Sequence, residues 1–306
     1  MLKLESIASF IAVAEDGSIS EAARRMELSK SVVSERLSEL ERSLGATLLQ
    51  RTTRKVSITE DGRAFYDRAK RILQDVGDAT AEIAERRGEL AGPLRISAPV
   101  SFGCLHLGPA LYGFLALHPK IELSLDVDDR LVNVVAGGYD AVVRHGPIVD
   151  EQVIVKRLAT SRRFLVAAPG YLKKNGTPGS LDDLRQHKGI VYSNRGAADW
   201  RFKAQRHSVI VRPQIVVLRV NNGLLMRDAA LAGLGIALLP GYFIQPELAR
   251  KQLLVVDVGA EPEGATLYIA YPSDRRRSAK LRALTQWLRE TFGNPPYWDR
   301  PSIRKR

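Results

Sequence analysis

Cysteine is nearly absent. The 306 residues hold one, Cys104, which excludes a disulfide framework or a cysteine-based zinc site within the chain. Cys104 stands in an apolar stretch, so a buried small hydrophobe is expected there. No window of about 18 residues is apolar and free of charge, so no transmembrane helix and no membrane partner are expected. The opening MLKLESIASF lacks the apolar run of a signal peptide, and a cytoplasmic protein is expected. G-x-S-x-G, Walker and H-E-x-x-H motifs are missing, as is a G-x-G-x-x-G opening a helix. Gly233-x-Gly235 precedes an expected strand, the wrong setting for a dinucleotide. No catalytic residue, cofactor or metal is therefore expected. Low-complexity tracts and solenoid periods are also missing.

The length suggests two domains at ~150 residues each. Hydrophobic content is 45% and charged content 26%, ordinary for a globular chain. The charge is less ordinary. Lys and Arg number 46 against 34 Asp and Glu, a net of +12, which favours polyanionic partners.

Leu4, Ile7, Phe10, Ile11 and Ala14 recur at helical spacing, and Asp16-Gly17 breaks the helix. Ser18-Ile-Ser-Glu21 fits a capping box before a short helix with Ala22 and Ala23. Ser29 can cap a third helix with the stripe Val33, Leu37, Leu40 and Leu44, ended by Gly45. Its other face starts Ser29, Lys30, Ser31, Ser34, Glu35, Arg36. Two short helices with small polar and basic residues on the second make a helix-turn-helix. Short hydroxyls let such a helix sit deep in the major groove, and its N–H groups can face phosphate. Residues 46–59 then read as a two-stranded wing with a basic tip, carrying Arg51, Arg54 and Lys55. Glu60 and Asp61 open a long helix in which Phe65, Ala69, Ile72, Val76, Ala79 and Ile83 follow a 3.5-residue period. That seam suits a coiled-coil partner or packing on its own domain. ELAGP at 89–93 ends it.

Residues 9–62 carry an ordered set of motifs: Ala22-Ala23, the Leu28-Ser-x-Ser-x-Val-Ser34 run, Leu40-Glu41 with Leu44-Gly45, Leu48-Leu-x-Arg51 and Thr59-Glu-Asp-Gly62. In these the chain resembles the LysR-type transcriptional regulators. Glu35 departs from the basic or amide residue often found at its position. A carboxylate there can accept from cytosine N4 or lean away toward Arg36, Arg42 or the surroundings of Glu39.

Beyond residue 93, apolar strands alternate with helices, as in a doubly wound parallel sheet. Strands are expected at 94–98, 121–127, 140–144, 153–158, 164–168, 190–192, 209–220, 236–239, 253–257 and 267–271. Helices are expected at 102–117, 131–136, 180–187, 223–232 and 275–291. Ligands bind such sheets at the strand C-termini, here near Ser101, Asp128-Asp129-Arg130, Arg144-His145, Ser193 and Asn221-Asn222. His145 is expected as a strand-end surface residue. Arg144 can take a ligand carboxylate or pair with Asp140 or Asp128.

Ser101-Phe-Gly103, Gly138-Tyr-Asp140, Asn221-Asn-Gly223, Trp200-Arg-Phe202 and ALAGLGIALLP (230–240) are similar to the effector domain of the same family. The resemblance implies an α/β fold: an N-terminal all-α winged helix-turn-helix (1–60), a long linker and dimerisation helix (61–92), and an effector-binding domain (93–291). The last would hold two Rossmann-like lobes resembling a periplasmic binding protein, about 93–161 with 267–291, and 162–266. A small effector, an organic anion or aromatic metabolite, would lie between them on Ser101, Asp129, Arg144, Ser193, Trp200 and Asn222. Double-stranded promoter DNA, a homodimer through the linker helix, a homotetramer and contact with RNA polymerase are further implied. A non-regulatory small-molecule-binding protein or an enzyme on the α/β half is the alternative.

Residues 292–306, with two adjacent prolines and a basic end, read as a mobile tail. Counting by segment weakens the link between charge and DNA. Residues 1–92 hold 15 basic and 16 acidic groups, so the excess lies in the remaining 31 basic and 18 acidic groups.

Overall fold

The computed structural model describes residues 2–51, 56–85, 89–130, 132–135, 137–146, 148, 152–193, 200–204 and 207–299. Two compact units emerge: 1–93 with the short segments 120–122 and 135–138, and 94–119 with 123–134 and 139–306.

The first unit begins with α1 (Leu4–Asp16), α2 (Ile19–Arg25) and α3 (Lys30–Leu44). Gly17 and Gly45 end α1 and α3 with φ of 62° and 67°, a region that favours glycine. Ser18 and Ser29 cap α2 and α3 by accepting from Glu21 N and Val32 N. Among the described residues no bond returns from the Glu21 carboxylate, so only half of the expected capping box forms. Phe10, Val13, Ala22, Ala23, Val33, Leu37 and Leu40 make one core, where the two alanines let the helices approach closely.

Strands β1 (Leu49–Arg51) and β2 (Val56–Ile58) pair antiparallel as a wing. The expected basic tip with Arg54 and Lys55 lies outside the described residues. One peptide group ties the wing to its neighbours. Leu48 N donates to Glu41 Oε1 (2.8 Å), Leu48 O accepts from Thr59 N (3.0 Å), and the Thr59 hydroxyl donates to Thr47 O (2.7 Å), with Leu48 O at 3.1 Å. Thr59 Oγ1 in turn accepts from Gly62 N (3.0 Å), opening α4 (Glu60–Glu85). A Cβ at Gly62 would lie 2.1 Å from the Leu48 carbonyl oxygen.

The apolar seam of α4 splits. Ala69 is fully buried, and Phe65 and Leu73 pack against the same core. Farther along, Ile72, Val76 and Ile83 are 39%, 41% and 60% exposed. The start of the helix packs on its own domain, and the rest presents an apolar stripe.

The second unit contains β3 (Gly92–Ala98), the helical run α5 (Val100–Phe102), a π-turn (Gly103–Leu107) and α6 (Gly108–Leu117), then β4 (Ile121–Val127), β5 (Ala141–His145) and β6 (Val153–Ser161). Next come β7 (Arg163–Ala167), α7 (Pro169–Asn175), α8 (Leu181–Gln186), β8 (Lys188–Tyr192), β9 (Trp200–Ala204), β10 (His207–Val211) and β11 (Ile215–Val220). It closes with α9 (Gly223–Leu231), β12 (Ile236–Pro240), α10 (Gln245–Ala249), β13 (Leu254–Val255), β14 (Glu261–Pro262), β15 (Ala265–Pro272) and α11 (Ala279–Phe292).

One five-stranded sheet has the order β4-β3-β5-β15-β6 and forms lobe 1; another, β11-β8-β12-β7-β13, forms lobe 2. The sheets are mixed rather than all parallel. β3 with β5, and β8 with β11 and β12, are parallel, whereas β15, β7 and β13 run antiparallel to their neighbours. The reason is the path of the chain. It leaves lobe 1 at Ser161, enters lobe 2 at Arg163, and returns through Glu263–Gly264 into β15, with no helical crossover to keep the strands parallel.

Several expectations change. The strand expected over 209–220 is two, because Pro213 cannot donate to a ladder and its ring sits against Gly189. In place of a helix at 131–136, the described residues form turns, with Val134 packed on Val142 and Ala270. Val100–Leu117 is an uncharged helical run of 18 residues, half buried, so the exclusion of any such apolar run was too broad. Phe102, Leu107, Leu111 and Phe114 anchor it in the core. Cys104, on its outer side, is exposed rather than buried.

The tail is also not free at its start. Tyr297–Asp299 forms a 3-10 turn, and Trp298 is buried. Ordering three residues costs about 3–6 kcal/mol at ~1–2 each. Burying an indole of ~150–250 Å² at ~25 cal/mol per Å² returns about 4–6 kcal/mol. Its hydrogen bonds and ring contacts tip the balance. Residues 300–306 lie outside the described residues.

Gly62→Ala places a methyl group against the Leu48 carbonyl. It should cost the N-terminal unit roughly 1–3 kcal/mol, read as an earlier urea transition of that unit. An unchanged midpoint would contradict the close approach.

Candidate functional site

There are two candidate surfaces, one in each unit. The first is the outer face of α3. Ser29, Lys30, Ser31 and Glu35 are exposed at its N-terminal turns, and Ser34 and Arg36 are half-buried. Val33, Leu37 and Leu40, on the opposite side, fix the rotation of the helix by their burial. Ser31 Oγ bonds Ser29 Oγ at 2.8 Å. No acidic residue lies in the first turn, so the partial positive charge of the helix N-terminus is not offset there. Among the described residues Glu35 makes no ion pair. It adds to the field of Glu39, whose bond to Lys3 (2.6 Å) raises the Lys3 pKa. Arg51 sits in β1, paired with Val56, and only its backbone is described.

The start of α4 is tied to α1 through Glu15. Its carboxylate meets Lys70 Nζ (2.7 Å), Arg25 (3.2 Å) and Tyr66 OH (2.9 Å). Burial by itself would raise the Glu15 pKa. The bonds to Lys70, Tyr66 and Arg25 outweigh it and hold the pKa below the ordinary value.

The second surface is a cavity of about 500 Å³ between the two lobes, within the ~300–1,000 Å³ usual for small-molecule sites. Lobe 1 supplies Ser101, Phe102, Asp129, Arg144 and His145; lobe 2 supplies Arg163, Tyr192, Arg201, Gly223 and Tyr242; Glu263 and Thr266 come from the returning crossing. Gly223 opens α9 against the Phe243 ring, where a Cβ would lie 2.3 Å from the ring edge.

Three of the six residues expected in the cavity line it. Ser101 is buried, and its hydroxyl has no hydrogen-bond partner among the described residues. Asp129 accepts from Val100 N (3.1 Å) and from the Asn222 side chain of the other lobe, while burial raises its pKa. Arg144 is buried and donates to Ser97 Oγ (2.9 Å), Val143 O (2.8 Å) and Arg130 O (3.4 Å). The carboxylates weighed as its partners have other bonds: Asp140 with Arg275 and Arg95 N, and Asp128 with Arg130.

The other three differ. Asn222 caps α9 through Leu224 N and Leu225 N and reaches Asp129, but stands outside the wall itself. Ser193 is exposed beside the wall residue Tyr192, with its N–H on Val220 O. Trp200 is 2% exposed in the lobe 2 core with Phe202, Leu238 and Tyr171, so it does not touch the cavity. An indole at a strand start reads the same in either place.

Sequence reasoning missed the residue with the least ordinary environment, Arg163. Arg163 is half-buried and lines the cavity. Burial pushes its pKa down, against weaker support from Tyr242 and Glu263 and opposition from Arg201. It has no hydrogen bond or ion pair with a described residue. A partly desolvated cation is favoured by an opposite charge beside it, so Arg163 is suited to an anion. The sequence signal was a charged residue opening an otherwise apolar strand, Arg163-Phe-Leu-Val-Ala167. His145 was misplaced as well. It stacks on Tyr242 at 5.3 Å and bonds the Tyr242 hydroxyl (2.9 Å) in the cavity wall. Burial pushes the Tyr242 pKa far up, so that hydroxyl stays protonated.

Two family models match the chain. One is described as "Bacterial regulatory helix-turn-helix protein, lysR family" and covers residues 4–63; the other, "LysR substrate binding domain", covers 87–293. The chain is 33% identical to the HTH-type transcriptional regulator PtxR of Pseudomonas aeruginosa, over 97% of this chain and 95% of that one. It is 34% identical to the HTH-type transcriptional regulator DmlR of Escherichia coli, over 94% of each. Among solved structures, CrgA, a LysR-type transcriptional regulator from Neisseria meningitidis, is similar with a TM-score of 0.58 and 29% identity, over 94% of this chain and 98% of that one. Full-length AphB, a Vibrio cholerae virulence activator, shares the fold with a TM-score of 0.62 at 24% identity, over the same shares.

The Glu15 cluster has a pH signature. A lowered carboxylate pKa gives stability that is full above the ordinary value of 4.5 and is lost as pH falls through the lowered pKa. Glu15→Gln should therefore destabilise the N-terminal unit at pH 7 and flatten its loss of stability in acid, as followed by urea unfolding across pH. An unchanged acid limb would remove Glu15 from the tie between α1 and α4.

Proposed function

The chain belongs to the LysR family of bacterial transcriptional regulators, and from that premise we propose a regulator whose promoter binding is controlled by a small organic anion held between the two lobes at Arg163. The observation that carries the anion is the half-buried Arg163 on the cavity wall, which forms no ion pair with a described residue. Arg144 and Arg201 add positive charge against Asp129 and Glu263. A carboxylate can engage such a guanidinium bidentately. Phe102, Tyr192 and Tyr242 suit an aromatic or apolar remainder.

In this reading α3 enters the major groove. Ser31 and Ser34 approach base edges, and Lys30 and Arg36 approach phosphates, with Arg51, Arg54 and Lys55 of the wing on the flanking backbone. Glu35 accepts from a cytosine or stays clear of the bases. The exposed Ile72, Val76 and Ile83 stripe of α4 pairs with a second copy, giving two half-sites on partly palindromic DNA. Tetramer formation and contact with RNA polymerase belong to the same reading, as does a cytoplasmic location. The residues of the cavity then bind and sense rather than turn over a substrate.

Footprinting on the DNA upstream of its own and its neighbouring genes tests the first half. Ser34→Ala should weaken specific binding by about tenfold, the scale of one base contact. Lys30→Ala should weaken all sequences alike and reduce the salt slope by about one. Unchanged binding in both variants would place the DNA elsewhere. For the cavity, a panel of small carboxylates should include compounds that raise the melting temperature of the wild-type chain and lose that effect in Arg163→Met. Equal stabilisation of both chains would remove Arg163 from the site.

A further inference from the structure

The described chain ends in a turn that touches both lobes. On lobe 1, Trp298 Nε1 donates to Thr160 O at 3.3 Å, and its ring lies 5.2 Å from Phe292 and 5.0 Å from His106. On lobe 2, Asp299 Oδ2 accepts from Arg162 N at 3.1 Å. Arg162 is the single residue between β6 and β7, where the chain crosses. Gly241 meets the same carboxylate closely, since a Cβ there would lie 3.0 Å from Asp299 Oδ1.

The contact reaches the cavity through two rings. Trp298 stands edge-on to Phe102 at 5.9 Å and to Tyr242 at 6.1 Å. Phe102 of lobe 1 and Tyr242 of lobe 2 both line the cavity; Trp298 does not, so it backs them from behind. His106 makes a second bridge. Its Nε2 donates to Tyr242 O at 3.2 Å, because a carbonyl can only accept. Nδ1 of that tautomer then accepts from Tyr297 OH. Burial lowers the His106 pKa and favours this neutral form. His106 is carried by the π-turn Gly103–Leu107, an irregularity common at functional sites.

We infer that Tyr297, Trp298 and Asp299 are an interlobe strap, positioning residues that fix the opening of the cavity from behind. The two chain crossings alone would leave the lobes free to hinge about Arg162 and Glu263–Gly264. The strap spans the first crossing, braces one cavity ring from each lobe, and sets His106 in the tautomer that reaches Tyr242. Its bearing on regulation rests on the reading of the cavity as an effector site. The strap itself is tested without DNA or effector, so the two can fail separately.

Hydrogen–deuterium exchange of the full chain provides the test, comparing wild type with Trp298→Ala, Asp299→Ala and Tyr297→Phe. In Trp298→Ala, amides of 160–164, 241–244 and 103–107 should exchange about tenfold faster, while α7 to β8 and α1 to α3 stay at the wild-type rate. A uniform rise across the second unit would mean that Trp298 supports only general stability. No change at those three segments would mean that the turn rests on the surface without holding the lobes. Both outcomes overturn the strap. If Trp298→Ala does not fold, the milder variants decide. Asp299→Ala should raise exchange at Arg162 and its neighbours, and Tyr297→Phe at 104–107; wild-type rates in both would refute the role.

Discussion

The second unit depends on the chain passing twice between its two five-stranded sheets within a short distance, at Arg162 and at Glu263–Gly264. Each sheet is complete on its own side, so the space where they face each other is a cavity with walls from both. The first strand after the crossing begins with Arg163. Its position at the strand start places the half-buried side chain against the cavity. The same crossing leaves Arg162 N for the Asp299 carboxylate and Thr160 O for the Trp298 indole. The mixed sheets, the half-buried cation and the docked C-terminal turn are thus consequences of one local path.

The N-terminal unit has its own pivot in the Leu48 peptide. Glu41 near the end of α3 holds its N–H, and the Thr59 N–H at the start of α4 holds its carbonyl. Helix α3, wing and linker helix therefore meet at one group, and Gly62 is required because that carbonyl occupies the space of a side chain. Glu15 adds an ionic tie from α1 to α4. This rigidity matters for reading DNA, since the exposed serines of α3 are useful only if the helix is held at a fixed angle to the wing.

Much of this was legible because it is local. Ser29 and Gly45 announce the ends of α3 by capping chemistry, and Val33, Leu37 and Leu40 announce its buried face by period. The Thr59-Glu-Asp-Gly62 pattern was recognisable as a family motif, but its cause, an approach to Leu48 from eleven residues away, was not. Residues whose role depends on distant partners were the ones misjudged. Trp200 and Trp298 are both indoles in polar settings, yet one fills a lobe core and the other a joint between lobes. The adjacent prolines and basic end of 293–306 suggested solvation, and a single buried ring outweighed them. Arg163 passed unnoticed because a charged residue opening a strand is common; only its surroundings make it unusual. Net charge was the least informative signal, since residues 1–92 are nearly neutral and α3 relies on a small patch and a helix N-terminus.

Anion binding at Arg163 and DNA binding at α3 are linked only if the anion distinguishes the states that bind DNA well and poorly. Thermodynamic linkage makes this measurable from both ends, because each ligand must change the affinity of the other by the same factor. Calorimetric titration of the intact chain with a stabilising carboxylate, with and without its operator DNA, tests it most directly. Regulation through the cavity predicts a carboxylate Kd that shifts by about 5- to 150-fold on adding DNA, matched by an equal shift in DNA affinity. A carboxylate that binds with the same Kd in both cases would contradict it.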